Sequence, residues 1–299
     1  MLKFLFVTGS HKSGTSWLAR MIDANPTIAL PDQELWLLGN PNSLGEKIKN
    51  SMDAWLGLPT VSSQFTTEQS QGNVRRTVMR AAISSAIEAG IGGVKGAKVI
   101  GDKTPAFYAQ QFRYLQSIFP DAYYVQIVRD PRDVVVSHHF HAYRLDEWSF
   151  FGDKDKAKEV GKRIKDGENV GPDLLDDASV TRLLKAWCRV QNNGIETKDV
   201  FPNRHRLLRY EDLLVQPGHE LRQVFNLVEQ PLNNAAVDDI VARFSFEQMS
   251  QGRKIGQEDP KSFFRKGGSG DWKTYFSPEL DAQVREQAKD LMEHFDYGD

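Results

Sequence analysis

Apolar residues run along this chain in two rhythms. Residues 4–8, FLFVT, form an unbroken β-rich run without polar alternation, the pattern of a central parallel strand covered on both faces. From Thr15 the rhythm changes: in TSWLARMIDANP, Trp17, Leu18, Met21 and Ile22 fall at helical spacing, and the segment stops ahead of Pro26. Further strands are predicted over 98–103 (KVIGDK), 122–130 (AYYVQIVRD) and 205–212 (HRLLRYED), each followed by a helical stretch. Helices are predicted over 73–89, 106–119, 179–200, 218–228 and 279–295, with Val180, Leu184, Trp187 and Cys188 near one face of the third. Such alternation predicts an α/β fold, a central parallel sheet flanked by helices. Two stretches lack either rhythm. Residues 151–178 are charged with scattered glycine, and 250–271 are rich in glycine and basic residues, so both are expected as mobile surface loops.

Composition narrows the picture. With 299 residues, 40% hydrophobic and 26% charged, the chain can bury a large core, and a single domain over 1–299 is expected. Lys+Arg 38 against Asp+Glu 40 leaves a net charge of −2, which argues against bulk binding to nucleic acid or an anionic membrane. Any anion site must be local. Cys188 is the only cysteine, so no internal disulfide or multi-cysteine metal site can form, and a reducing compartment is expected. The run from Phe4 to Val7 is too short for a signal-peptide core or a membrane span, and no later stretch approaches the ~18 apolar residues of a span. A cytoplasmic protein is expected.

The first candidate chemistry lies in VTGSHKSGTSW, residues 7–17. Gly9 and Gly14 keep the spacing of a triphosphate-binding loop, but Thr15 stands where its lysine belongs and Lys12 sits inside the loop. Strand, glycine loop and helix together present backbone N–H groups and a helix N-terminus to an anion. A second cluster is IVRDPRDVVVSHHFH, 127–141. Arg129 ends a strand and Ser137 follows on a helix that Pro131 can start, so both can face one crevice and share a phosphate. A third is FFRKGGSGDWKTYF, 263–276, where Arg265 and Lys266 precede Gly267 and Gly268, a basic pair on a backbone able to close over an anion.

Taken in order with RYEDLL, these motifs resemble the sulfotransferases that use 3′-phosphoadenosine 5′-phosphosulfate (PAPS). The resemblance implies a P-loop NTPase-like sulfotransferase fold and an in-line transfer of a sulfuryl group, with 3′,5′-adenosine bisphosphate (PAP) as product. Lys12, Ser13, Gly14, Thr15 and Ser16 then match the 5′-phosphosulfate loop, His11 shapes that loop, and Trp17 takes the position that packs on the adenine. Arg129 and Ser137 match the 3′-phosphate pair, Tyr210 a tyrosine near the nucleoside, and Arg265, Lys266 and Gly267 the loop closing over the 3′-phosphate. The loop at about 250–271 becomes a donor-closing loop, and about 145–178 a lid or acceptor-covering insertion. No metal is implied, since fixed cations can neutralise the departing bisphosphate.

The acceptor's proton needs a general base. Members acting on phenols and steroids carry Lys-Thr-His; here Lys103-Thr104-Pro105 puts proline at the histidine position. GDKTPAFY resembles instead the Glu-Lys-Thr-Pro segment of members acting on heparan chains and of several bacterial members. Those use a glutamate shortly after the first helix, and Glu34 lies at the matching distance. Lys103 then resembles the lysine that steadies the leaving phosphate. Asp102 and the histidines His138, His139 and His141 stay open as rival bases.

Two other functions compete: a magnesium-dependent small-molecule kinase on the same scaffold, disfavoured by Thr15 in place of the lysine, and a nucleotide-binding module without catalysis. The acceptor is expected to be a fairly apolar small molecule, from the aromatic residues Trp36, Trp55, Phe65, Phe140, Tyr143, Trp148, Phe150 and Phe151 in the segments 31–70 and 140–178. Oligomeric state is open. The Lys-x-x-x-Thr-Val-x-x-x-Glu pairing stretch of cytosolic members is not matched, because Lys273 is followed by Ser277, Pro278 and Ala282.

Overall fold

The computed structural model describes residues 2–93 and 96–298. Five strands, β1 (Lys3–Gly9), β2 (Ile28–Ala29), β3 (Val99–Lys103), β4 (Tyr123–Val128) and β5 (His205–Arg209), form one sheet in the order β2-β3-β1-β4-β5. Every pairing is parallel. The absence of alternation in β1 has a direct cause: each face has its own apolar layer. Leu5 and Val7 pack with Leu18, Met21 and Ile22 of the helix Thr15–Asp23 and with Leu221 and Val224 of Pro217–Leu227. Phe4 and Phe6 pack on the opposite side with Ile83 and Ile87 of Glu68–Gly90 and Leu115 of Phe112–Ile118.

The register places chemistry at one edge. Val7 lies opposite Lys103 and Gly9 opposite Ile127, so the carboxyl ends of β1, β3 and β4 deliver the glycine loop, Lys103 and Arg129 side by side. Ligands of open parallel α/β sheets bind in the crevice outside those ends.

Several elements differ from expectation. β5 stops at Arg209, and Tyr210–Val215 is helical, with Glu211 and Asp212 in its first turn where the helix dipole favours acids. The 106–119 stretch divides into Phe107–Gln110 and Phe112–Ile118, and the last helix into Pro278–Gln287 and Lys289–His294. Helices Leu44–Leu56, capped by Ser43, and Asn234–Arg243, capped by Asn233, have no counterpart in the prediction. The charged stretch 151–178 is not a structureless loop. Asp153 caps a helix, Lys154–Lys165, whose few apolar residues Ala157, Val160 and Ile164 share one buried face. That spacing, not apolar content, docks it beside Tyr143 and Phe151. Among the described residues no helix is long and apolar enough to cross a membrane.

Candidate active site

The glycine loop turns through two left-handed residues, Lys12 at φ 65° and Gly14 at φ 90°. A methyl group at Gly14 would lie 2.6 Å from Cδ2 of Tyr210, so close approach and backbone sign both demand glycine there. Gly14 precedes the helix Thr15–Asp23 with no side chain capping it, which leaves its first-turn N–H groups facing the loop. Beneath the loop, Gln191 donates to Ser10 Oγ at 2.9 Å and Gln126 to Gln191 at 3.2 Å. The Ser13 hydroxyl is fully buried without a protein partner.

A cavity of about 230 Å³ opens over this loop. His11, Lys12, Gly14, Thr15, Ser16 and Trp17 line it, together with Glu34, Arg129, Ser137, Tyr210 and residues 265–267. Arg129 reaches across the mouth, donating to Lys12 O and to Gly268 O, both at 3.1 Å, while its guanidinium stacks 4.4 Å over Tyr210. The Nε of Arg129 is buried and unpaired. Asp130 caps the helix Pro131–Arg144 that carries Ser137, as Pro131 predicts. Lys12 lies 4.6 Å from the centre of Phe263, and its pKa falls to about 8, chiefly through burial and then through Arg144, Arg129 and Arg265. Arg265 pairs with Glu258 and Asp271, and Lys266 with Asp271. Arg253 ties this loop together, donating to the carbonyls of Gln257, Phe264 and Arg265.

A second cavity of about 490 Å³ adjoins the first, and Ser16, Glu34, His141 and Phe263 belong to both. At this seam Lys103 Nζ donates to Glu34 Oε1 at 2.6 Å and to Ser16 Oγ at 3.2 Å. The remaining wall is Arg20, Asp23, Asp32, Gln33 and Trp36 with a few aliphatic residues.

A family model described as the sulfotransferase domain matches residues 3–296. The chain belongs to the sulfotransferase family. Human sulfotransferase 1C2 is 27% identical over 165 residues, covering 52% of this chain and 49% of that protein. The chain thus spans about half the length of the curated relatives it matches. Among solved structures, mouse sulfotransferase SULT7A1 complexed with PAP superposes with a TM-score of 0.51 at 18% identity, covering 97% of this chain and 84% of that one. The sulfotransferase domain of the Synechococcus olefin synthase gives 0.53 at 17% identity, covering 97% and 94%. The fold is the sulfotransferase fold, a parallel sheet behind a P-loop-like turn.

Around this site the rival bases separate by position. Asp102 is fully buried, accepts from Thr104 Oγ1 at 3.0 Å, from Tyr108 and from the Leu35 N–H, and lines neither cavity. His139 is buried with Nδ1 on Val135 O and Nε2 on Ser179 Oγ. His138 stacks on Phe150 outside both linings. His141 lines both cavities, but its Nδ1 accepts from Arg144. Glu34 is the carboxylate common to both.

The aromatic acceptor wall requires correction. Phe140, Tyr143 and Phe151 are buried core residues, Trp148 packs on Gly161, and Trp55 pairs with Phe65 on the outer surface. Of the eight, Trp36 alone lines the second cavity. Sequence reasoning also missed the apolar slot beside Trp17, made by Leu214, Phe244, Phe246 and Met249, and it missed Phe263 and Phe264. Three of the slot residues flank or follow the unpredicted helix Asn234–Arg243, so no periodic signal drew attention to them.

Proposed function

We propose that this chain transfers the sulfuryl group of PAPS to a hydroxyl of a small-molecule acceptor and releases PAP. One observation carries the reading: in a chain of this family, Lys12, Arg129, Ser137, Tyr210 and residues 265–267 line one cavity together with Glu34, which the adjoining cavity shares. The residues fit such a donor. Arg129, whose Nε has no partner among the described residues, lines that cavity, and the slot that Leu214, Phe246 and Met249 form beside Trp17 is apolar as a purine requires.

The roles follow from position. Lys12 and the uncapped N–H groups hold the 5′-phosphosulfate; Arg129 and Ser137, with Arg265, Lys266 and Gly267, hold the 3′-phosphate. Glu34 takes the proton of the acceptor hydroxyl as its oxygen forms the new bond to sulfur. The bond from sulfur to the bridging phosphate oxygen breaks, and Lys12 and Lys103 neutralise the charge that collects there. In this reading 1–299 is one catalytic domain working in the cytoplasm. The loop at 250–271 closes over the donor, and 145–178 folds over the acceptor side once an acceptor is bound, since none of its residues lines either cavity here.

Calorimetric titration with PAP, beside ATP with and without magnesium, tests the reading. Tight, magnesium-independent binding of the bisphosphate is expected. A preference for magnesium ATP would replace the proposal with a kinase.

A further inference from the structure

Of the four residues shared by the two cavities, Ser16 is engaged by Lys103 and Glu34 is the proposed base. Phe263 is apolar. The fourth, His141, has no role assigned so far. It lies one helical turn beyond Ser137, on the same face of Pro131–Arg144. Its Nδ1 lies 3.0 Å from Arg144 Nη2, and arginine can only donate, so Nδ1 must hold a lone pair. The hydrogen of the neutral ring therefore sits on Nε2. Burial, with Lys12 and Arg144 nearby, lowers the pKa of His141 to about 4 and keeps the ring neutral. Among the described residues Nε2 has no hydrogen-bond partner. Because Nδ1 faces its own helix, Nε2–H is the polar edge left for the cavities. A nitrogen that already bears its proton cannot be the base, but it can donate.

We infer that His141 is a specificity residue of the acceptor site. Its Nε2–H donates to an acceptor oxygen beside the hydroxyl that Glu34 deprotonates, so the acceptor is an oxygen-rich alcohol such as a vicinal diol. The wall of the second cavity agrees: Arg20, Asp23, Asp32 and Gln33 offer polar partners, and among the described residues only Trp36 and Phe263 join the His141 ring as aromatic lining. A flat apolar phenol would strip water from whatever part of this exposed polar wall it covers and return no hydrogen bond, a costly outcome. This inference rests on the sulfotransferase reading above.

The test uses the full chain, labelled PAPS and matched acceptor pairs: cyclohexane-1,2-diol against cyclohexanol, and catechol against phenol. Wild type, His141→Phe and His141→Gln are compared, with PAP affinity measured on each. The wild type is expected to favour the diol member by roughly three- to tenfold in kcat/KM per hydroxyl group, the range of one net hydrogen bond. His141→Phe should bring that ratio to about one through a loss on the diol alone, with PAP affinity unchanged. His141→Gln, whose amide can donate from a similar position, should restore part of it. An unchanged ratio in His141→Phe overturns the inference. So does a wild type that treats both members alike, or that binds PAP yet transfers to neither. Failure of the wild type to bind PAP removes instead the donor reading on which the inference stands.

Discussion

Lys12 makes donor affinity depend on alkaline pH in a way the structure sizes. Its ammonium is enclosed by the glycine loop and Phe263 and has Arg129, Arg144 and Arg265 for neighbours, and its pKa stands at about 8 against an ordinary 10.5. A lysine lowered in this way gives up its proton early, whereas a phosphate beside it favours the charged form. Binding above pH 8 must therefore take up a proton, and the cost rises as pH rises. Between about pH 7 and about pH 9 the charged fraction of the free protein falls from roughly nine-tenths to roughly one-tenth, a loss of about tenfold in PAP affinity or ~1.4 kcal/mol. Titration calorimetry at the two pH values, in buffers of different ionisation enthalpy, should count close to one proton taken up at the higher pH. Lys12→Arg stays charged throughout and should bind with the same affinity at both. A wild type whose affinity is flat over this range, or an arginine variant that declines equally, would refute the argument.

Glu34→Gln should abolish transfer while PAP affinity stays within about twofold, since amide and carboxylate occupy the same space; single-turnover assays retaining near-normal rates would remove Glu34 as base. Gly14→Ala should destabilise the fold by about 1–3 kcal/mol and weaken PAP binding, because it meets both a left-handed backbone and the Tyr210 ring. Urea denaturation and PAP titration together read this, and wild-type values in both would contradict it. Asp102→Ala should leave the Tyr108 hydroxyl buried without a partner and cost about 1–3 kcal/mol. Its PAP affinity in the folded protein should match wild type, and a selective loss of turnover at full stability would return Asp102 to the list of bases.

Much of the frame was legible because it rests on local rules. An apolar run, a glycine turn and a helical repeat locate β1, its loop and the helix Thr15–Asp23 without tertiary knowledge. Pro131 announces the helix that brings Ser137 round to Arg129. The illegible parts depend on long-range partners. The two-residue strand β2 exists only through its pairing with β3. The 154–165 helix hides its core face among charges, so composition misled where spacing would have served. The aromatic residues of 140–151 read as a pocket, but Phe140, Tyr143 and Phe151 pack inward against the helices near the C-terminus and 154–165. Glu34 and Lys103 are 69 positions apart, and only the folded chain joins them in one ion pair.

The two cavities draw their walls from different lengths of chain. Apart from the seam, the nucleotide side comes from the glycine loop, Pro105, the end of β4, Ser137, Tyr210, Leu214 and residues 244–268, whereas the other side comes from residues 19–36 and Lys103. Inheritance can therefore act on the halves separately. A lineage could vary Arg20, Asp23, Asp32, Gln33 and Trp36 and acquire a new acceptor while Glu34 and the donor side stay as they are, and an engineer could graft those wall residues on the same terms.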